Sequence, residues 1–208
     1  MGGVIVDVHR DEAIRQFKAI GVADAGQQID ANNHQGLFLA FENGDIDSEM
    51  FRQKLSQRAG KDIPMEDIVR AWKSIISKPL LYKLEYILAL RRRYKLYLLS
   101  NNNPILIDWA RTNDFSEAGL PVTHYFDKLY ISYEMKCTKP ERLIYEKMIL
   151  DSGINPSESL FIEDGLRNIN TAQALGFHTL QVENGEDWRN SITEILNKKK
   201  QKHINLRL

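Results

Sequence analysis

Two adjacent acids, Glu163-Asp164, follow directly on the apolar run Leu160-Phe161-Ile162. Two negative charges at the point where a strand leaves the core repel each other and lose hydration unless a cation compensates them. Hard carboxylate oxygens of this kind suit Mg²⁺. Two further sites repeat the arrangement of polar chemistry at the end of an apolar run. Ser100-Asn101 closes the run Lys95-Leu96-Tyr97-Leu98-Leu99, where a hydroxyl and free backbone amides can hold a phosphoryl oxygen. Lys139-Pro140 follows the run Lys128-Leu129-Tyr130-Ile131-Ser132 and precedes a helical pattern whose first turn suits the proline. Its ammonium can neutralise a phosphoryl group or anchor carboxylates. Taken singly, each pattern is also what an ordinary solvated turn or loop produces.

The elements that must position these groups divide the chain in two. From Asp11 to beyond Met65 the apolar period is helical. Ile14, Phe17 and Ile20 share a face before Gly21, and Asp47 can cap a helix carrying Phe51 and Leu55. Pro64 suits the first turn of a third helix, whose stripe runs through Ile68, Val69, Trp72, Ile75 and Ile76. No strand is expected between Val6 and roughly Leu90. After Tyr94, short apolar runs alternate with helical patterns: Lys95–Leu99, Lys128–Ser132, a helix through Ile144, Met148 and Ile149, Leu160–Ile162, a helix through Ile169, Ala172 and Leu175, and His178–Val182. Such alternation implies an α/β fold, a parallel sheet with helices on both faces. Ligands of such sheets sit beyond the carboxyl ends of the strands, where Ser100-Asn101 and Glu163-Asp164 emerge. The helical stretch from about 10 to 80 then reads as an insertion forming a lid over that edge.

The bulk of the sequence removes other classes of function. Its 208 residues suit one domain with a modest insertion. Twenty-eight basic residues balance twenty-eight acidic ones, so no net field recruits nucleic acid or a membrane surface. Arg91-Arg92-Arg93 and Lys198-Lys199-Lys200 read as the cationic ends of helices, where they complement the macrodipole. The lone Cys137 excludes an internal disulfide and fits a reducing compartment. No apolar run approaches the ~20 residues that span a bilayer, and no secretory signal is visible, so a cytoplasmic location is expected. His9, at the start of the insertion, reads as a surface or packing residue.

In chain order these motifs resemble those of the haloacid dehalogenase superfamily. Met1-Gly2-Gly3-Val4 looks like the residues that follow the nucleophilic aspartate of its first motif. Leu98-Leu99-Ser100-Asn101 resembles the second, Lys139-Pro140-Glu141-Arg142 the third, and Leu160–Ile169 with Glu163-Asp164 the fourth, acidic loop. The resemblance spans almost the whole chain and implies a Rossmann-like core at 1–9 and 80–208 with a small helical cap at 10–79. The Gly-Gly-Val form of the first motif, with Ser-Asn-x-Asn at the second, looks most like bacterial sugar-1-phosphate phosphatases of the alpha-D-glucose-1-phosphate kind.

That likeness implies a Mg²⁺-dependent phosphatase of a small phosphorylated metabolite, acting through an aspartyl-phosphate. Asp164, Glu163 and the Gly2 carbonyl would hold the metal. Ser100, Asn101 and Lys139, with Gly2 and Gly3, would hold the phosphoryl group, with Ser100 and Lys139 in catalytic roles. Many relatives carry an acid–base aspartate at the position of Gly2. The nucleophile itself is expected just upstream of Met1, at the end of a first core strand missing from this chain, so that the natural protein begins earlier and the chain as given is inactive. Asp7 is not expected to replace it, because Val4-Ile5-Val6 reads as an extended run leading away. A 2-haloacid dehalogenase and an inactive binding protein of the same fold are the alternatives, and a monomer or weak homodimer is expected.

Overall fold

The computed structural model describes residues 1–29 and 36–204; residues 30–35 of the inserted stretch and 205–208 at the end lie outside the described residues. Helices α1 (Arg10–Ala19), α2 (Ala25–Gln28), α3 (Gly36–Glu42), α4 (Ser48–Ala59) and α5 (Met65–Lys73) precede α6 (Leu81–Arg91), and the strands begin only at Tyr97. Asp47 caps α4 by accepting from the Met50 amide at 2.8 Å, and Gly60, in a left-handed conformation, closes it. Pro64 stands one residue ahead of α5 as its N-cap, rather than inside its first turn.

The apolar stripe of α5 is shorter than its sequence pattern. The helix ends at Lys73, and Ile75 and Ile76 lie in the segment that leads out of the insertion. There the His9 amide donates to the Ile75 carbonyl at 2.6 Å and the Ser77 amide to the Asp7 carbonyl at 3.2 Å. Val8 and Ile76 form an antiparallel bridge. These backbone bonds between the inbound and outbound linkers take the groups that a longer helix would have needed.

The inserted helices enclose an apolar cluster of their own around Phe17, Phe38, Phe41, Phe51 and Trp72. Phe17 meets Phe38 edge-on at 5.0 Å and Phe41 stacks on Phe51 at 4.3 Å. Aromatic pairs of this geometry add ~0.5–1.5 kcal/mol beyond their buried area. The cluster touches the rest of the molecule through Ile105 and Leu106, on the helix that follows Ser100.

The remainder alternates strand and helix: β1 (Tyr97–Ser100), α7 (Pro104–Ala110), β2 (Lys128–Ile131), α8 (Ser132–Met135), α9 (Arg142–Ser152), β3 (Leu160–Glu163), α10 (Leu166–Ala174), β4 (His178–Gln181) and α11 (Arg189–Ile204). The fold is α/β with parallel strands, but the expected single sheet is two separate pairs. β1 pairs with β2, with Ser100 opposite Ile131; β3 pairs with β4, with Glu163 opposite Gln181. Between the pairs lies a cavity of about 880 Å³, lined from one side by Leu98 and Leu99 and from the other by Phe161 and Ile162.

Three expectations about the ends of elements need correction. Val4-Ile5-Val6 does not run outward, because the Ile5 and Val6 amides both fold back onto the Met1 carbonyl, at 2.9 and 3.3 Å. The Val4 carbonyl is held in that turn by Lys83 Nζ at 3.3 Å and Trp188 Nε1 at 2.6 Å. Pro140 precedes α9 rather than opening it: its bond to Lys139 is cis, and a turn closed by the Glu141 amide on the Thr138 carbonyl intervenes. Lys198-Lys199-Lys200 is not a helix end, since α11 continues to Ile204; the side chains of Lys199 and Lys200 lie outside the described ones. Arg91, by contrast, is the last residue of α6. No described helix is long and apolar enough to cross a membrane.

The aromatic cluster makes a direct prediction. Truncating the fully buried Phe38 to alanine should cost ~3–5 kcal/mol in denaturant unfolding followed by tryptophan emission and circular dichroism. A loss well under 1 kcal/mol would show that this cluster does not hold the inserted helices together.

Candidate active site

β1 and β3 end at the same place. Ser100, the last residue of β1, has its Oγ 3.4 Å from the Met1 nitrogen. That nitrogen is fully buried, and its surroundings include Lys139, Glu163 and Asp164. Burial first, and then the charge of Lys139, bring the amine down to about 5. The three polar clusters picked out along the sequence therefore converge on one point, where the two strand pairs face each other.

Lys139 and Glu163 form the firmest contact there, Nζ to Oε2 at 2.5 Å, with side chains only 6% and 8% exposed. Burial works to raise the Glu163 carboxyl, and the lysine overrides it, holding the group below the usual carboxylate range. Lys139 also lies 5.8 Å from the centre of the Phe161 ring. Its backbone is clamped by the Asn101 side chain, which accepts from the Lys139 amide at 2.7 Å and donates to its carbonyl at 2.8 Å. The next residue along, Asn102, donates its amide to Ser132 Oγ at 2.9 Å. Asn103 then caps α7, accepting from the Leu106 amide at 3.2 Å. The whole polar turn after β1 is thus built by side-chain bonds.

Asp164 stands beside this pair, its carboxyl hydrogen-bonded to that of Glu163. Gly3 has a positive φ of 76°, and a Cβ there would overlap the Asp164 carboxylate. Glycine is required for both reasons. Burial, and then the neighbouring Glu163, push the Asp164 carboxyl upward. The two adjacent acids therefore differ: Glu163 is neutralised by lysine, while Asp164 leans on its neighbour's carboxyl and meets only the buried Met1 amine. No group of three or more His, Cys, Asp or Glu residues able to hold a metal occurs among the described residues. The donor set at this mouth is a pair of adjacent carboxylates. It fits Mg²⁺, which takes one or two carboxylates and fills its remaining positions with water and substrate phosphate.

The helical insertion reaches this mouth. Ser132 Oγ donates to the Glu42 carbonyl at 2.6 Å, Lys136 Nζ donates to the Gly44 carbonyl, and Gly44 packs against the Tyr133 carbonyl so closely that a Cβ would overlap it. Gly2 sits in the turn with Gly3 and bridges to Val6. His9 is exposed, and its side chain caps nothing. The Asp7 carboxylate lies against Gly185 and acts on Lys83. Residue patterns did not reveal the clamp from Asn101, the part of Ser132, or the hold of Lys83 and Trp188 on Val4. The apolar-then-polar signal marks strand ends, not the distant groups that brace them.

The split between the acids predicts opposite effects of removing each charge. In metal-free protein, Glu163→Gln strands the buried ammonium and should cost ~3–5 kcal/mol. Asp164→Asn relieves a repelled, half-buried carboxylate and should leave the melting temperature unchanged or raised. Thermal unfolding in a chelator reads both, and equal losses for the two variants would contradict this electrostatic account.

Comparison with known proteins gives the family. The sequence pattern of the haloacid dehalogenase-like hydrolases matches residues 1–176. The chain is 45% identical, over 94% of its length and 95% of the relative's, to a D-ribitol-5-phosphate phosphatase of Bacteroides thetaiotaomicron. A solved structure of a predicted HAD-like family hydrolase from Porphyromonas gingivalis superposes with a TM-score of 0.89 at 42% identity, covering 92% of each chain. A HAD family enzyme of B. thetaiotaomicron, solved with magnesium and inorganic phosphate, superposes with a TM-score of 0.83 at 38% identity, covering 90% of this chain and 93% of that one. With its strand ends, its acid pair and its inserted helices in this order, the chain belongs to the haloacid dehalogenase-like hydrolase family.

Proposed function

We propose that this protein is a Mg²⁺-dependent phosphatase of a small sugar or polyol phosphate, working through an aspartyl-phosphate whose aspartate stands immediately ahead of Met1. The observation that carries this reading is the convergence of Ser100, Lys139, Glu163 and Asp164 on the Met1 nitrogen. A residue joined to that nitrogen lies at the centre of every group suited to a phosphoryl ester. Asp7, turned toward Gly185 and Lys83, does not share that position. The 45% identity to a D-ribitol-5-phosphate phosphatase supports a polyol phosphate as the first substrate to try.

In the proposed reaction a carboxylate oxygen of that aspartate attacks phosphorus, and the bond from phosphorus to the sugar oxygen breaks. The leaving oxygen takes a proton from water, since position 2 is glycine and offers no carboxyl to give one. Water then attacks the phosphorus of the acyl phosphate, releasing inorganic phosphate and restoring the carboxylate. Ser100 Oγ and the Asn101 amide would donate to the non-bridging oxygens, and Lys139, held in place by Asn101, would balance their charge. Asp164, aided by Glu163 and the Gly2 carbonyl, would hold Mg²⁺, which when bound screens the phosphoryl charge from the attacking carboxylate. The helices at 10–79 would act as a cap over the mouth of the site, excluding water and selecting the leaving group. A dehalogenase of the same fold needs no such cation, and the carboxylate pair counts against it.

The test compares this chain with a form extended by an apolar segment ending in aspartate ahead of Met1. The extended form should release phosphate from D-ribitol 5-phosphate or a sugar 1-phosphate with Mg²⁺ and not with EDTA, and should release no chloride from 2-chloropropionate. Asp164→Asn in that background should lower kcat/KM ~100-fold or more. The chain as given should stand lower by roughly 10⁶. Equal turnover by both forms would overturn the placement of the nucleophile.

A further inference from the structure

The loop that follows β4, residues 183–188, grips the inbound linker of the inserted helices at three points. Trp188 Nε1 donates to the Val4 carbonyl at 2.6 Å. Gly185 lies so near the Asp7 carboxylate that a Cβ there would meet it at 3.7 Å. Asn184 makes the fullest contact: its carboxamide accepts from the Val8 amide at 2.8 Å and donates to the Val8 carbonyl at 3.1 Å. The loop also holds its own shape. The Glu186 amide donates to the Glu183 carbonyl at 3.0 Å, and the Glu183 amide to the Glu186 carboxylate at 2.7 Å. Just before it, the Val182 amide donates to the Glu163 carbonyl at 3.0 Å, which roots the loop beside the acid pair.

Val8 is paired on its other side. It forms an antiparallel bridge with Ile76, and the bonds flanking that bridge run from the His9 amide to Ile75 and from the Ser77 amide to Asp7. In such a pair the amide and carbonyl of the central residue point away from the partner strand. Asn184 meets both, so a single side chain takes the place of a third strand's peptide group. The Val8 side chain meanwhile lies over Gly2, where an added Cβ would come within 2.8 Å of its Cγ2. Gly2 shares with Gly3 the turn that rests on Asp164, and α1 begins two residues after Val8, at Arg10. Val8 therefore stands between that turn and the helices, tied to the core by Asn184.

Burial separates the residues that hold this linker. Lys83 and Trp188 are 1% and 2% exposed and belong to the packed interior, whereas Asn184 is exposed. Once its carboxamide is removed, water can satisfy the freed groups of Val8, so the fold loses little while the position of Val8 is released.

We propose that Asn184 is a positioning residue of the candidate site. Its carboxamide pins Val8 against Gly2, so that the inserted helices pivot beyond Val8 and leave the Gly2-Gly3 turn seated on Asp164. The consequence for the metal rests on the reading above, in which Asp164 and the Gly2 carbonyl hold Mg²⁺; the pinning of Val8 does not.

The experiment compares the parent chain with Asn184→Ala and, as a control in the same loop, Asp187→Ala, whose carboxylate pairs with Arg189. Each protein is followed by thermal unfolding, by hydrogen–deuterium exchange in residues 1–10 and in α4, and by calorimetric titration with Mg²⁺ in the presence of inorganic phosphate. Asn184→Ala should melt within about 3 °C of the parent. It should exchange faster around Val8 but not in α4, and bind Mg²⁺ about tenfold more weakly. Asp187→Ala should match the parent in exchange at residues 1–10 and in Mg²⁺ affinity. Unchanged exchange at residues 1–10 in Asn184→Ala, or faster exchange throughout with a lower melting temperature, overturns the positioning role. Equal Mg²⁺ affinity in the parent and Asn184→Ala does the same. A parent chain that binds no Mg²⁺ overturns the metal reading instead, and the exchange around Val8 then decides the pinning by itself.

Discussion

Lys139 and Glu163 belong to different halves of a divided sheet, and their contact at 2.5 Å ties those halves together at one end. Glu163 closes β3, while Lys139 follows β2 and α8 on the other side of the cavity. A buried pair of this kind adds little to stability compared with apolar groups of the same size, but losing either partner leaves a charge without solvent or counter-ion. An arrangement of the two strand pairs that parted these side chains would leave both charges buried and unpaired. The arrangement that joins them also carries Ser100 and Asp164 to the same spot.

The groups around the pair make it usable by a ligand. Asn101 holds the Lys139 backbone by both its amide and its carbonyl, and Glu163 holds the ammonium. Preorganisation of this sort removes the cost of ordering a long, flexible side chain at the moment of binding. With Glu163 committed to the lysine, Asp164 remains as the carboxylate whose ionisation a divalent cation would favour. One basic and two acidic groups thus divide into a satisfied pair and a single receptive acid. Gly3, whose Cα lies where a side chain would displace that acid, is what lets the turn approach it so closely.

The inserted helices depend on the same region for their placement. Their inbound and outbound linkers are bonded to each other through His9 with Ile75 and Asp7 with Ser77, which limits how far the unit can swing. Their far side is latched to α8 through Ser132 and Lys136. Ser132 bonds at once to the Glu42 carbonyl and to the Asn102 backbone, so one hydroxyl joins the cap-like helices to the turn that follows Ser100.

The order of helices and strands, the four strand positions and the three polar clusters were legible in the sequence because each is a local property. Periodicity of 3.6 or 2 is written in neighbouring residues, and an apolar run that stops at Ser100, Glu163 or the segment before Lys139 marks a strand end without reference to anything distant. Local pattern overreached where backbone partners came from elsewhere. The stripe of α5 continued on paper through Ile76, and Val4-Ile5-Val6 looked extended, yet the Ile75 carbonyl is taken by His9, and Val4-Ile5-Val6 turns back on Met1 with its Val4 carbonyl held by Lys83 and Trp188. Only the tertiary structure decided those bonds. Asn101 reaches Lys139 across 38 positions, and Trp188 reaches Val4 across 184. Nothing in the spacing of side chains along the chain records which buried donor will meet which carbonyl.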